Sequence, residues 1–135
     1  MPVPVHLVNH PLVHDALATL RDKQTTPEHF RRAAMRISVL LVAEALHDLP
    51  TSDMTVDTPL GPADARRVTR DVVVVPVLRA GLGMLEAVLE LVPTARVGHI
   101  GLQRDEMTAV ASQYYSKLPA GLGESDVLLM VRMRA

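Results

Sequence analysis

The chain has 135 residues, of which 48% are apolar and 2% aromatic, with a formal net charge of −1 and no cysteine. A charge this close to zero excludes the strong basic field of a general nucleic-acid or membrane-surface binder, and the lack of cysteine excludes disulfides and thiolate catalysis. The length predicts one domain, and the aliphatic composition predicts helices packed on a β-branched sheet.

The chain begins with the extended, proline-containing stretch MPVPVHLVNHP. It lacks the cationic start and apolar block of a signal peptide, and no apolar run reaches the roughly 18 residues needed to cross a bilayer. We therefore expect a cytoplasmic protein with neither a membrane nor a nucleic acid as its partner.

Two amphipathic helices are predicted in the first 50 residues. In the first, Pro11 suits the initial turn, and apolar residues recur at helical spacing over residues 11–23. In the second, Thr26 is placed to cap the helix, Pro27 suits its first position and Pro50 lies just beyond its end. The residues expected on the buried face of the second helix are Phe30, Ala33, Ala34, Ile37, Leu40, Leu41 and Ala45.

The remainder of the chain predicts a βαβ unit with two projecting arms. Three apolar runs fit buried strands, and a helix-like segment of residues 83–93 separates the first two. The runs are residues 72–78, 96–102 and 126–131. Strand, helix and strand at this spacing predict a parallel sheet with a right-handed crossover. The turn-rich stretches 53–68 and 103–124 are expected to form hairpin-like arms.

The stretch DVVVVPVLRAGLGM, residues 71–84, carries the candidate site. Ligands of open α/β sheets bind beyond the carboxyl ends of the strands, which is where Arg79 falls. Gly81 and Gly83 allow a sharp turn and close approach of a ligand, and the next helix directs free N–H groups at the same spot. Arginine offers paired donors at phosphate geometry, so the stretch predicts a pocket for phosphate or pyrophosphate.

A second interpretation of this stretch stays open on the pattern alone. In it, Gly81 and Gly83 serve only the turn, while Arg79 extends into water. A dinucleotide fingerprint is excluded, because Glu86 occupies the position of its third glycine, and a P-loop is excluded because no Gly-Lys-Ser/Thr follows.

Several segments in order resemble one known family. VPVLRAGLGML, PTARVGHIGLQRDE, YYSKLP and the N-terminal helices are similar to uracil phosphoribosyltransferases, and the likeness covers essentially all 135 residues. The resemblance implies transfer of ribose 5-phosphate from phosphoribosyl pyrophosphate to N1 of uracil, giving UMP and pyrophosphate in pyrimidine salvage. It also implies Mg²⁺ as cofactor and a homo-oligomer that dimerises through projecting arms.

The resemblance also assigns binding residues. The family's pyrophosphate loop matches Arg79, Ala80, Gly81, Leu82 and Gly83, and a second arginine that reaches the pyrophosphate matches Arg104. It implies a parallel sheet flanked by helices, of the phosphoribosyltransferase type, with projecting β-arms. No catalytic base and no metal ligand are assigned.

The last residues depart from the family pattern. Family members carry an acidic Thr-Gly-Gly-Ser type loop after the third strand, and its backbone cradles the 5-phosphate. Here Val131 stands where the family has aspartate, Arg132 where it has proline and Arg134 where it has leucine. The phosphate loop and the uracil-binding hood are not present among the 135 residues, so the fold is expected to be incomplete at the C-terminus.

The expected organisation is one C-terminally truncated phosphoribosyltransferase domain over residues 1–135. Residues 1–50 form its helical segment, and residues 51–135 form the sheet core and arms. Two hypotheses about function follow. The first is a uracil phosphoribosyltransferase-like protein whose 135 residues alone bind pyrophosphate at most weakly and make no UMP. The alternative is a non-catalytic interaction or regulatory module, or a degenerate fragment, that retains only the dimerisation surface.

Two further groups of side chains were considered as ligand sites. His6, His10 and His14 recur at intervals of four, which on a continuous helix suits a metal, but Pro11 interrupts such a helix. Asp105 and Glu106 follow Arg104 and are candidates to contact Mg²⁺ or polarise a substrate, with carboxylates that are solvated or paired with Arg104 as the simpler interpretation.

Overall fold

The computed structural model describes residues 2–132, and its elements follow the predicted order closely. The helices are α1 (Pro11–Arg21), α2 (Pro27–Ala45) and α3 (Leu82–Leu91). The strands are β1 (Thr51–Thr58), β2 (Gly61–Val68), β3 (Val72–Leu78), β4 (Arg96–Val97), β5 (His99–Arg104), β6 (Ala111–Lys117) and β7 (Asp126–Met130), with one 3₁₀ turn at Leu122–Glu124. Within the described residues, no helix is both long and apolar enough to cross a membrane.

Side chains fix the starts of the first two helices. His10 Nδ1 accepts a hydrogen bond from the Leu12 amide at 3.1 Å, and Thr26 Oγ1 accepts one from the His29 amide at 3.4 Å. A proline occupies the first position of each helix, where no intrahelical donor is needed. The predicted N-terminal boundaries of both helices are therefore confirmed.

The buried face of α2 differs from the predicted one at several positions. Leu41 and Ala45 are exposed, whereas Ser38 and Val42 are buried. The Ser38 hydroxyl donates to the Ala34 carbonyl at 2.8 Å, which satisfies the one polar group in the buried stripe. At Ser38 the prediction failed because the stripe was assigned from apolar residues alone, and at Val42 it failed because the stripe was placed on a neighbouring helical face through Leu41 and Ala45.

The main sheet is built around β3. On one side β3 pairs in parallel with β4 and β5, and on the other side it pairs in parallel with β7. β6 adds an antiparallel strand beyond β5, so the sheet is mixed. The α/β class with flanking helices is confirmed, and the antiparallel strand comes from the predicted second arm.

One predicted strand is interrupted. Residues 96–102 form two strands separated by Gly98, whose amide donates to the Val74 carbonyl at 2.9 Å. A Cβ at Gly98 would lie 3.0 Å from the side chains of Leu118 and Pro119, so the close passage of the segment after β6 explains the glycine. β5 then runs two residues farther than predicted, to Arg104.

The core is aliphatic, as composition required. Val42 of α2, Val74 of β3, Val88 of α3 and Met130 of β7 form one buried cluster between the helices and the sheet. Val73 and Val74 of β3 are both completely buried, although neighbouring side chains of a strand point to opposite faces of the sheet. This packing fixes the orientation of β3 and therefore the position of its carboxyl end, which Arg79 follows.

The predicted first arm is a separate two-stranded hairpin. β1 and β2 pair antiparallel from Thr51↔Val68 to Thr58↔Gly61. Gly61 has a φ of 122°, which favours glycine at the turn, and Leu60 at the tip is fully exposed. The hairpin is a sheet of its own and extends from the main core.

Candidate functional site

Arg79 leaves the core at the carboxyl end of β3. The strand is buried up to Pro76, half-buried at Val77 and Leu78, and exposed at Arg79. The peptide bond between Leu78 and Arg79 is cis. Within residues 2–132 the Arg79 guanidinium forms no ion pair, so its charge is not neutralised by a neighbouring carboxylate.

The amide groups between Arg79 and α3 are less available than the sequence predicted. The Gly81 amide donates to the Val77 carbonyl at 2.9 Å, and the Leu82 amide donates to the Arg79 carbonyl at 3.1 Å. The Gly83 and Met84 amides donate to carbonyls three residues earlier, at 3.3 and 3.1 Å. The expectation of free N–H groups at the start of α3 was therefore wrong, because turns tighten the entry to the helix.

The two glycines of the loop have different environments. A Cβ at Gly81 would lie 2.5 Å from the Met130 carbonyl oxygen and 2.7 Å from the Val77 amide nitrogen. A Cβ at Gly83 would meet nothing within 4 Å. Packing against β7 therefore accounts for Gly81, while Gly83 leaves open backbone on the solvent side. Between them, Ala80 and Leu82 are exposed.

Arg104 lies at the same edge of the sheet as Arg79. β5 runs parallel to β3 with Leu78 opposite Gly101, so both strands end in the same direction. Three further residues at about 3.3 Å each place Arg104 about 10 Å beyond the level of Leu78. Arg104 is exposed and, in the part of the chain described, forms no ion pair either.

Asp105 organises the loop that follows Arg104. Its Oδ1 accepts hydrogen bonds from the Met107 amide at 2.9 Å, the Thr108 amide at 2.8 Å and the Thr108 hydroxyl at 3.1 Å. These donors favour the ionised carboxylate and lower the pKa of Asp105, the Thr108 amide having the largest effect. This role was not predicted from the sequence, although Asp side chains commonly accept a hydrogen bond from the backbone amide two residues on.

The three spaced histidines do not meet. His6 Nε2 lies 2.7 Å from Glu44 Oε1, His10 caps α1, and His14 Nε2 lies 2.8 Å from Asn9 Oδ1. Among residues 2–132, no group of three or more His, Cys, Asp or Glu side chains is placed to hold a metal ion. Each histidine thus has a separate local partner.

A second basic region lies at the opposite edge of the sheet. A cavity of about 590 Å³ near the start of β3 is lined in part by Arg66, Arg67 and Arg70. Arg66 lies 3.4 Å from an Asp53 oxygen, and Arg70 lies 3.5 Å from an Asp126 oxygen. Because two of its three arginines have carboxylate partners, this region is a weaker anion site than the edge with Arg79 and Arg104.

Comparisons with known proteins agree on one family. A family model described as uracil phosphoribosyltransferase matches residues 7–135. The chain is 46% identical over 132 residues to a uracil phosphoribosyltransferase of Symbiobacterium thermophilum, covering 97% of this chain and 63% of the relative. It is also 46% identical over 132 residues to one of Thermus thermophilus, covering 97% of this chain and 64% of the relative.

A solved structure supports the fold. The AQ2163 protein from Aquifex aeolicus superposes with a TM-score of 0.83 at 35% sequence identity, covering 91% of this chain and 59% of that chain. The chain thus spans a little under two thirds of the length of the relatives that it matches.

Proposed function

The chain belongs to the uracil phosphoribosyltransferase family, and we propose on that premise that it forms the pyrophosphate-binding part of an enzyme of pyrimidine salvage. The reaction is the transfer of ribose 5-phosphate from phosphoribosyl pyrophosphate to N1 of uracil, which yields UMP and pyrophosphate. Phosphoribosyl pyrophosphate and uracil are then the substrates, and the enzyme class is a pentosyl transferase.

One observation carries the proposal: the Arg79 guanidinium stands at the carboxyl edge of β3, exposed and without a carboxylate partner within residues 2–132. Breaking the bond at the anomeric carbon leaves positive charge on the ribose and negative charge on the departing pyrophosphate. A fixed cation beside the leaving group stabilises that charge more in the transition state than in the bound substrate. Arg79 is assigned this role.

Arg104 and the loop backbone complete the proposed leaving-group site. Arg104 comes from the neighbouring parallel strand and brings a second permanent cation to the same edge. Gly83 leaves the backbone at the start of α3 accessible, and Ala80 and Leu82 are exposed beside it. Gly81 contributes by allowing the loop to pack on β7. No residue of this chain is proposed as a covalent nucleophile or general base.

Mg²⁺ is the cofactor that the family implies. The described residues offer no cluster of carboxylates or histidines for a metal ion. Mg²⁺ in nucleotide enzymes is held largely by substrate phosphates and water, with few protein ligands, so these residues fit an ion that arrives on the pyrophosphate group. When bound, it would neutralise part of the leaving group's charge.

The remaining features of the proposal concern assembly and location. We include a homo-oligomer, with the exposed β1–β2 hairpin as its contact element, and no nucleic-acid or membrane partner. A cytoplasmic location fits a chain without cysteine that acts on nucleotide precursors.

A non-catalytic module is the second candidate, and the end of β7 favours it. Val131 stands where the family resemblance implies an aspartate, and the next residue, Arg132, lies over the Phe30 ring at 5.3 Å. Val127 and Leu129 on β7 are exposed apolar side chains, as an interaction surface requires.

Titration of the 135-residue chain with pyrophosphate and with the Mg²⁺ complex of phosphoribosyl pyrophosphate tests the proposal. We expect both to bind and Arg79→Ala to weaken each by roughly tenfold to hundredfold, since a charged hydrogen-bond partner is lost. Arg31→Ala, which removes an exposed arginine of α2, is the matched control and leaves both affinities unchanged. Absence of binding contradicts the proposal. UMP formation by the chain alone excludes the non-catalytic alternative and also contradicts the expectation that these 135 residues make no UMP.

A further inference from the structure

Asp105 is the most heavily hydrogen-bonded residue of the loop between β5 and β6. Its Oδ1 accepts the three bonds from Met107 and Thr108 described above, at 2.8–3.1 Å. Its backbone amide donates to the Val110 carbonyl at 2.9 Å, and its own carbonyl accepts from the Ala109 amide at 2.9 Å. Five hydrogen bonds thus converge on one residue of a six-residue loop.

Little else in the described structure supports this loop. Met107 and Val110 are 94% and 63% exposed, so the loop has no apolar anchor against the core. Ala109 has a φ of 57°, a left-handed conformation that a non-glycine residue adopts only when neighbouring bonds fix it. The bonds to Asp105 are therefore what keeps the loop in a single shape.

The loop begins directly after Arg104, the last residue of β5. Arg104 pairs with Ala111 across the hairpin, so the six residues between them decide whether this final pair of the ladder stays closed. The direction of the Arg104 side chain depends on that pair, because frayed strand ends lose their alternation of faces.

We propose that Asp105 is a positioning residue, which holds Arg104 at the carboxyl edge of the sheet by fixing the loop after it. The inference rests on the proposed function, in which Arg104 binds the pyrophosphate group. It assigns Asp105 no contact with substrate or metal.

Electrostatics alone predicts the opposite effect of removing Asp105. Its carboxylate is a negative charge beside an anion site, so deleting it would strengthen pyrophosphate binding by Coulomb attraction to the remaining cations. A positioning role predicts weaker pyrophosphate binding when Asp105 is removed. The Arg104 side chain would then sample many directions in the free protein, and ordering it on binding would cost entropy. The sign of the change separates the two effects.

The experiment compares five variants with the wild-type chain by calorimetric titration of the 135 residues with sodium pyrophosphate, with and without Mg²⁺. Asp105→Ala removes the acceptor, and Asp105→Asn keeps an oxygen acceptor without the charge. Glu106→Gln is the matched control, as Glu106 is the adjacent exposed carboxylate. Arg104→Ala, alone and combined with Asp105→Ala, completes a double-mutant cycle.

We expect Asp105→Ala to weaken pyrophosphate binding about tenfold, the effect of one lost charge-assisted contact. The affinity of Asp105→Asn for pyrophosphate stays within about twofold of the wild-type value, and the affinity of Glu106→Gln is not lower than that of the wild-type chain. In the Arg104→Ala background, Asp105→Ala has no further effect, a result that general damage to the fold would not give. Amide hydrogen exchange at Met107 and Thr108 rises in Asp105→Ala and not in Asp105→Asn.

Other results overturn the inference. If Asp105→Ala binds pyrophosphate as tightly as the wild-type chain or more tightly, Asp105 does not act through Arg104. The same conclusion follows if Asp105→Ala lowers the affinity by the same factor in the Arg104→Ala background. If Asp105→Asn lowers the affinity for pyrophosphate as much as Asp105→Ala does, but only when Mg²⁺ is present, Asp105 is a metal ligand instead. A wild-type chain that does not bind pyrophosphate overturns the proposed function and this inference together, whereas the variant results overturn this inference alone. Should Asp105→Ala not fold, Thr108→Val, which removes one of the three donors, must weaken binding by a smaller factor.

Discussion

Gly81 packs directly against the main chain of Met130, so that a Cβ on Gly81 would lie 2.5 Å from the Met130 carbonyl oxygen. The φ of Gly81 is −62° and its ψ is −24°, values that any residue adopts. The glycine is therefore required by proximity and not by backbone conformation. The loop that carries Arg79 rests on the end of β7 through this contact.

Gly81→Ala is expected to destabilise the protein by about 2 kcal/mol, because the clash is with backbone atoms that cannot rotate away. For a domain of this size, that free energy lowers the melting temperature by roughly 8 °C. Thermal unfolding followed by circular dichroism measures the change. A variant that melts like the wild-type chain would show that β7 and the loop separate easily.

Gly83→Ala provides the matched comparison two residues further along the chain. A Cβ there meets nothing within 4 Å, and alanine favours a helix by up to about 1 kcal/mol relative to glycine. We expect an unchanged or raised melting temperature together with weaker pyrophosphate binding, since the new methyl group occupies the side from which the ligand approaches. Unchanged affinity in calorimetric titration would place the ligand away from this part of the backbone.

Arg96 closes the crossover from β6 to β7. Its guanidinium donates to the Ala120 carbonyl at 2.7 Å and to the Ser125 hydroxyl at 2.9 Å. Arg96→Met keeps the length of the side chain but removes both donors, and we expect a loss of about 1–3 kcal/mol in the free energy of unfolding. Chemical denaturation measures it, and Arg31→Met, on an exposed face of α2, should change stability by less than about 0.5 kcal/mol.

The Asp105 loop has a predictable pH dependence. Hydrogen bonds from the Thr108 and Met107 amides lower the pKa of Asp105 below the ordinary value of 3.8. A depressed folded-state pKa stabilises the loop fully above pH 3.8, and this stabilisation is lost as the pH falls through the lower folded value. The protection factors of the Met107 and Thr108 amides, which correct for the intrinsic pH dependence of exchange, should stay constant down to pH 3.8 and fall on further acidification, whereas a fall near pH 5 would contradict the assignment.

Local signals in the sequence were sufficient to predict most of the helices and strands. Thr26 and Pro27 fixed the start of α2, and the valine run before Arg79 identified the central strand, because capping and burial act through neighbouring residues. Strand geometry predicted the place of Arg79 at the carboxyl edge, whereas Arg104 was assigned only through the family resemblance. The parallel pairing of β3 with β5 brings both to one edge.

Two of the features that were missed depend on contacts between distant segments, and two others on local hydrogen bonds of polar side chains. The clash that requires Gly81 involves Met130, and the break at Gly98 involves Leu118 and Pro119, so neither shows in a local pattern. Ser38 is buried because its hydroxyl finds a carbonyl one turn earlier, an arrangement that hydropathy does not report. The role of Asp105 could be recognised only from the hydrogen bonds that its carboxylate accepts in the structure.

The support of the Arg79 loop by β7 sets an order of events during synthesis. Arg79 and its strand emerge from the ribosome about fifty residues before Met130. The contact of Gly81 with Met130 therefore cannot form until Met130 has been synthesised. A nascent chain therefore acquires its cationic edge late, when the final strand docks beside β3. Ligand binding by partially synthesised chains should begin only at that stage.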